Sequence, residues 1–259
     1  MNPEEKKQTA GVIGMGRFGT FWAEFLSQDF TVAGFSSSGK NPGFPPLRTL
    51  EEVCAMQTVF LCVPIRAMPA MLARIAPLVG PETLVADTCS VKTLPVRWMR
   101  EILRPETKIL ATHPMFGPES AKFGLQGLPV VLHGERLPDT ELEFWKSYFR
   151  RRTLTVITLT PEEHDREAAK TQALTHMVGR TLSRMGVQDS PIGTLWYRKL
   201  VSICRQVDKD SPELFSDMQH LNPFAAAVRK QFADVWLATS AELERDIPPA
   251  CLDPDGIHG

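Results

Sequence analysis

An α/β fold is predicted for this 259-residue chain on three observations. Short apolar runs alternate with helix-like stretches through the first 160 residues. A glycine-rich turn, Gly14-Met15-Gly16-Arg17-Phe18-Gly19, stands between the first run and the first helix. Strand signals cease near residue 160, and only helical patterns follow. Strands that alternate with helices call for a mostly parallel, doubly wound sheet. The expectation is therefore an N-terminal Rossmann-type sheet over residues 1–160, an all-α C-terminal domain over 161–247, and a tail over 248–259.

Taken in order, Thr9–Ile13 reads as a strand, Arg17–Gln28 as a helix and Thr31–Phe35 as a second strand. Ser36–Leu47 is rich in Ser, Gly and Pro and reads as loop. Thr58–Val63 is a continuous apolar run, the mark of a strand buried on both faces. Ala67–Leu78 is helical by period despite its proline. Further strands are expected at Thr83–Ala86, Lys108–Thr112, Pro129–Leu132 and Leu154–Leu159, with helices at Val91–Leu103 and Glu141–Arg151. Pro161 and Glu162 suit a first helical turn, and the helix they open runs to Met185, with Gly186 as its stop. Thr194–Val207, Pro212–His220 and Pro223–Glu244 complete the helical part.

Composition narrows the class. The chain is 43% hydrophobic and 23% charged, ordinary values for a globular protein with a real core. A net charge of -1 argues against a nucleic-acid binder held by phosphate contacts. No run of 18 apolar residues suggests a membrane span, and the start, Met1 to Thr9, is polar with no signal-like core. The cysteines at 54, 62, 89, 204 and 251 are scattered without CxxC spacing, which suggests free thiols in a reducing cytoplasm. No Cys/His cluster has metal-ligand spacing, so no metal is expected.

The turn Gly14–Gly19 is a GxGxxG in its proper context, after a strand and opening a helix. The first glycine makes the tight turn, the second lets a pyrophosphate approach, and the third allows close helix–strand packing. Met15, Arg17 and Phe18 belong to the same cofactor loop. A site for NAD usually carries an acid at the end of the second strand, for the ribose hydroxyls. Here that stretch is Phe35-Ser36-Ser37-Ser38-Gly39-Lys40, with no acid. Ser36, Ser37, Ser38 and Lys40, with Arg17 in reach, suit a 2′-phosphate, so NADP is expected over NAD.

Two segments follow strands at the carboxyl edge, where ligands of open α/β sheets bind. They are Asp87-Thr88-Cys89-Ser90-Val91-Lys92 and Thr112-His113-Pro114-Met115-Phe116-Gly117-Pro118-Glu119-Ser120. Ser90 and His113 are the pair expected to face the nicotinamide. A histidine near pKa 6.5 is a natural acceptor for the proton of an alcohol being oxidised.

These motifs, with Cys62-Val63-Pro64, resemble the prephenate/arogenate dehydrogenase family of tyrosine biosynthesis. The resemblance runs from about Gly11 to Phe232, and His164-Asp165 and Gln172–His176 carry it into the helical part. It implies a dinucleotide-binding domain plus a helical domain that builds a homodimer. It implies oxidative decarboxylation of a cyclohexadienol, with His113 taking the C4 hydroxyl proton and Ser90 holding the histidine. It assigns Val63, Pro64 and Thr88 to the cofactor, and Gly117, Ser120, His176 and Arg205 to the substrate. Asp210 has two readings, a partner for the amino group of arogenate or the N-cap of the helix opened by Pro212. His164 is expected on an exposed first turn, as a structural residue. Competing readings are a β-hydroxyacid-type dehydrogenase, a 4-amino-4-deoxyprephenate dehydrogenase and a non-catalytic NADP sensor.

Overall fold

A computed structural model describes residues 7–39 and 42–245. Lys40 and the 248–259 tail lie outside the described residues. Seven strands form one sheet: β1 (Thr9–Ile13), β2 (Thr31–Phe35), β3 (Thr58–Leu61), β4 (Leu84–Asp87), β5 (Lys108–Pro114), β6 (Pro129–Gly134) and β7 (Thr155–Thr158). Their order is β2-β1-β3-β4-β5-β6-β7. Every neighbouring pair is parallel except β5 and β6, which run antiparallel. The chain leaves β1 to one side for β2 and returns to the other side for β3. That reversal opens a crevice at the carboxyl ends of β1 and β3, the usual seat of a dinucleotide.

Helices cover both faces, as buried parallel strands require. On one face α1 (Arg17–Ser27) and α6 (Asp139–Arg151) pack an aromatic layer of Trp22, Phe25, Trp145, Tyr148 and Phe149. Trp22 is fully buried and stacks on Phe25 with ring centroids 5.0 Å apart. On the other face α2 (Leu50–Cys54), α3 (Met68–Ile75) and α4 (Thr93–Ile102) contribute an aliphatic core including Val53, Leu72, Ile75, Val96 and Met99. The helix α2 is a departure from expectation. It is only five residues long, too short to display a period, and its Thr49–Glu52 capping box does the work of starting it.

After β7 only helices follow among the described residues: α7 (Pro161–Ala168), α8 (Leu174–Arg184), α9 (Leu195–Val207), α10 (Pro212–His220) and α11 (Ala225–Arg245). A short α5 (Pro118–Ala121) sits between β5 and β6. Thr160 and Glu163 form the capping box of α7, and Gly186, at φ 78°, ends the run that α8 closes. The uninterrupted helix expected to Met185 is corrected in one place: Ala169–Ala173 is a π turn between α7 and α8. No described helix is long and apolar enough to cross a membrane.

Trp22→Ala would empty the centre of the aromatic layer. Loss of a buried tryptophan costs about 3–5 kcal/mol, so the denaturant midpoint should fall markedly while the slope is kept. A midpoint unchanged by the substitution would contradict the packing described.

Candidate active site

The glycine loop shows its three separate roles. Gly14 has φ 101° and its N–H donates to the carbonyl of Phe35 at 2.9 Å; a β-carbon there would sit 2.4 Å from the carbonyl oxygen of Cys62. A β-carbon on Gly19 would lie 1.9 Å from the carbonyl oxygen of Gly14, so α1 lies against its strand only because residue 19 has no side chain. Gly16, the N-cap of α1, faces open space within 4 Å. That bare backbone at a helix N-terminus fits a pyrophosphate.

Other cofactor candidates divide. Met15 is buried and Phe18 stacks on Trp22 with centroids 5.8 Å apart, so both side chains belong to the core and only their backbone can serve a ligand. Ser36 and Ser38 follow β2 directly, with their hydroxyls 3.1 Å apart, and Ser37 beside them is exposed. Val63 and Pro64 follow β3, and Pro64 caps a 3₁₀ turn, Ile65–Ala67. Thr88 ties the ends of β3 and β4, its hydroxyl donating to the Leu61 carbonyl at 3.1 Å. Arg17 is a correction. Its guanidinium donates to Glu119 Oε1 at 2.6 Å and to the Lys209 carbonyl at 3.3 Å, so it turns toward α5 and the helical part and not toward the serine loop.

His113 stands near the end of β5. Ile109 and Ala111 of that strand belong to the aliphatic core on the α4 side, so His113, two residues on, faces the same way. There it meets α7. Nδ1 of His113 lies 2.7 Å from Nε2 of His164, and Nδ1 of His164 lies 2.8 Å from Oδ1 of Asp165. All three side chains are buried. The carboxylate can only accept, so His164 carries a proton on Nδ1, and as a neutral ring it offers a bare Nε2. His113 must then donate from Nδ1, which leaves its Nε2 unprotonated. Burial holds the His113 pKa well below its ordinary value, and the nearby Lys92 ammonium adds to that.

This relay overturns two expectations. His164 is buried and not an exposed structural residue, because α7 enters with its first turn packed against α4. And the group holding His113 is His164; among the described residues no hydrogen bond joins His113 to Ser90, which sits half-buried on the loop after β4.

Sequence reasoning also missed the residues behind the relay. The Asp165 carboxylate accepts the backbone N–H of Lys92 at 2.7 Å and of Thr93 at 2.8 Å, capping the start of α4. Lys92, buried despite its charge, binds Asp87 with its ammonium and donates to the Thr112 carbonyl at 2.6 Å. Both residues were visible in the motifs Asp87–Lys92 and His164-Asp165; nothing in a single sequence marks an aspartate as a cap for a helix 72 positions away.

On the helical side His176 is buried, with its Nδ1 unpartnered and its Nε2 3.8 Å from Asp210 Oδ2. Burial lowers its pKa; Arg180 adds to that and Asp210 opposes it. Arg180 donates to the carbonyls of Val207 and Asp210 at 3.1 and 2.6 Å, pinning the turn that carries Asp210. The capping reading of Asp210 is overturned, since Ser211 caps α10. Arg205 is also corrected. It is exposed and pairs with Asp189, because α9 buries the stripe of Val201, Cys204 and Val207 and position 205 falls about 100° from the centre of that stripe, on the exposed flank of the helix. The Ser120 hydroxyl is taken up within its own turn, exchanging with the Gly117 N–H and carbonyl at 3.0 and 3.2 Å, while Gly117 itself is open above its Cα. Between these groups stands Glu119, bound by Arg17, Lys122 and Lys209. The two lysines hold its carboxyl down at about 2.

Comparison with known proteins points the same way. Residues 44–158 match the family model described as prephenate dehydrogenase, nucleotide-binding domain, and residues 181–247 match TYRAAT1-like, C-terminal domain. The chain is 31% identical over 243 residues to arogenate dehydrogenase 2, chloroplastic, of Arabidopsis thaliana, covering 87% of this chain and 68% of that protein. It is 29% identical over 236 residues to arogenate dehydrogenase 1, chloroplastic, of the same plant, covering 86% of this chain but 37% of that longer protein. In fold it resembles prephenate dehydrogenase from A. aeolicus, solved with hydroxyphenyl propionate and NAD+, at a TM-score of 0.72 and 18% identity, covering 94% of this chain and 93% of that one. Synechocystis arogenate dehydrogenase aligns at a TM-score of 0.65 and 18% identity, covering 92% and 93% of the two chains.

The relay predicts a pH dependence. A histidine whose folded pKa is depressed contributes stability that is present above the unfolded value, about 6.5, and lost as pH falls through the folded value. The denaturant midpoint should therefore drop on acidification below about pH 6.5, and drop less in His113→Asn. An equal drop in both proteins would contradict a neutral, buried His113.

Proposed function

The chain belongs to the prephenate and arogenate dehydrogenase family, and from that premise we propose that it catalyses the oxidative decarboxylation of arogenate or prephenate, with NADP as hydride acceptor, giving tyrosine or 4-hydroxyphenylpyruvate. One observation carries this reading. The Asp165–His164–His113 hydrogen-bond chain fixes both tautomers and leaves His113 Nε2 bare at the carboxyl edge of the sheet. That atom is a base for a C4 hydroxyl. The nicotinamide, when bound, supplies the acceptor for the C4 hydride. His113 takes the hydroxyl proton as the hydride leaves, the C1–carboxylate bond breaks to release carbon dioxide, and the ring becomes aromatic. The proton then returns from His113 to the same oxygen, so the cycle needs no other acid. Ser90, not engaged with His113, is assigned to the nicotinamide side. Gly14, Gly16 and Gly19 shape the pyrophosphate seat.

NADP is supported by the absence of an acid over Ser36–Gly39, where two serine hydroxyls stand next to the backbone that Gly14 binds. Arogenate over prephenate is supported by Asp210, whose carboxylate lies beside His176, and by the engagement of Arg205 elsewhere. A carboxylate there pairs with the amino group of arogenate, where prephenate offers only an uncharged keto oxygen. A homodimer is supported by exposed apolar side chains on the helical part, among them Ile192, Trp196, Trp236 and Leu237. The free thiols of Cys54, Cys62, Cys89 and Cys204 suit a reducing cytoplasm.

Initial rates with arogenate and prephenate, each with NADP and NAD, test the reading; no rate in any of the four combinations refutes it. His113→Asn should lower kcat about 10²–10⁴-fold, the usual worth of a general base, with NADP affinity kept. Asp210→Asn should raise KM for arogenate about tenfold, the worth of one charge-assisted bond, and leave that for prephenate the same or lower. Ser36→Asp should move the NADP to NAD ratio toward NAD; an unchanged ratio would refute the assignment of that loop.

A further inference from the structure

Two of the three histidines described in the helical part sit on either side of the π turn, His164 in α7 and His176 in α8. They are twelve residues apart in sequence. In an unbroken α-helix that spacing is three and a third turns, which sets the side chains about 120° apart around the axis. One of the two would then point away from the site. Both are nevertheless buried, His164 against His113 and His176 beside Asp210. A π turn bonds i to i+5 and so admits one extra residue without advancing the helix. It removes about 100° from the phase and leaves about 20°. The widened turn is therefore what brings the two rings to one face.

The turn is also held from outside. Gln219, buried at the end of α10, donates from Nε2 to the Ala173 carbonyl at 2.7 Å. Asn222, buried in the next turn of chain, donates from Nδ2 to the Asp165 carbonyl at 2.8 Å. The two amides thus hold the π turn at one carbonyl before it and one at its last residue. Their orientations are fixed in turn. Arg229 donates to the Gln219 carbonyl and to its Oε1 at 2.6 and 2.9 Å, so the NH₂ must face Ala173. Asn222 Oδ1 accepts the Phe224 N–H at 2.9 Å. Ala169, Ala173 and Ala225 form a small-residue contact that lets the wider turn sit against the start of α11.

We propose that the Ala169–Ala173 π turn, locked by Gln219 and Asn222, is a positioning device that sets the rotational phase of His176 against the His164–His113 relay. The two amide residues are positioning residues; they touch backbone and not substrate. The proposal rests on the dehydrogenase reading for its kinetic consequences, while the geometry is tested without it.

Deleting the exposed Lys170 removes the extra residue. The variant should keep its far-UV circular dichroism and its NADP affinity while kcat falls at least about 100-fold, the scale of a misplaced reacting group. By NMR, the His176 ring should titrate upward toward the ordinary value near 6.5 as it leaves the desolvated position facing Asp210 and Arg180. Gln219→Leu keeps the test open if the deletion does not fold. It should lower kcat about tenfold, and His176→Asn added to it should cost less than about twofold more, because a ring already out of phase has little left to lose. A folded deletion variant with turnover and His176 titration unchanged, or costs of Gln219→Leu and His176→Asn that simply add, would overturn the proposal. If the parent protein turns over neither substrate, the functional reading fails and the NMR titration alone decides the phase.

Discussion

The carboxylate of Asp165 is the interaction on which the rest of the site depends. A fully buried carboxylate is costly unless each oxygen finds a donor. Asp165 finds three, two backbone N–H groups at the start of α4 and one imidazole N–H. Its negative charge meets the positive end of the α4 dipole, a favourable place for an acid. The same charge dictates where His164 keeps its proton, and His164 dictates where His113 keeps its own. A helix start on the sheet and a tautomer at the site are thus set by one side chain on α7.

A second junction sits at the mouth of the site. Arg17 at the head of α1, Lys122 just after α5 and Lys209 after α9 share Glu119. These pairs are partly exposed, so salt weakens them, and their individual contributions are small. Their effect is geometric: they gather the glycine loop, the segment after His113 and the turn bearing Asp210 around one carboxylate. Arg17 cannot serve this junction and a 2′-phosphate at once, which is why its place differs from the one its sequence neighbourhood suggests.

How much of this was legible in the sequence depends on the range of the interaction. The strands, the glycine loop and most helix limits follow from local periodicity, capping residues and turn chemistry, so β1 and β2 fall where expected, and α10 spans Pro212–His220 as expected. The five-residue α2 shows no period. The antiparallel β6 reads like any other apolar run, because orientation is fixed by the connection through α5 and not by composition. The π turn leaves no mark, since four of the five residues of Ala169–Ala173 are good helix formers and the stretch holds no Gly or Pro. Arg205 was misplaced because one step along a helix turns a side chain about 100°, here from the buried Cys204 to the exposed Arg205. His164 was misjudged because its burial is caused by the start of α4, remote in sequence.

The buried pair of Asp87 and Lys92 has a consequence for how such a chain can drift over generations. Lys92 and Asp87 lie in a common shell with Thr112, whose hydroxyl donates to the Asp87 carbonyl at 2.6 Å. Losing either ion alone strands the other without water, at about 3–5 kcal/mol, a large share of a typical domain's stability. Replacing both together by apolar residues of matching volume is far less costly. Descendants of this chain therefore face a valley between two viable states, and each position is inherited as though it were half of a single letter.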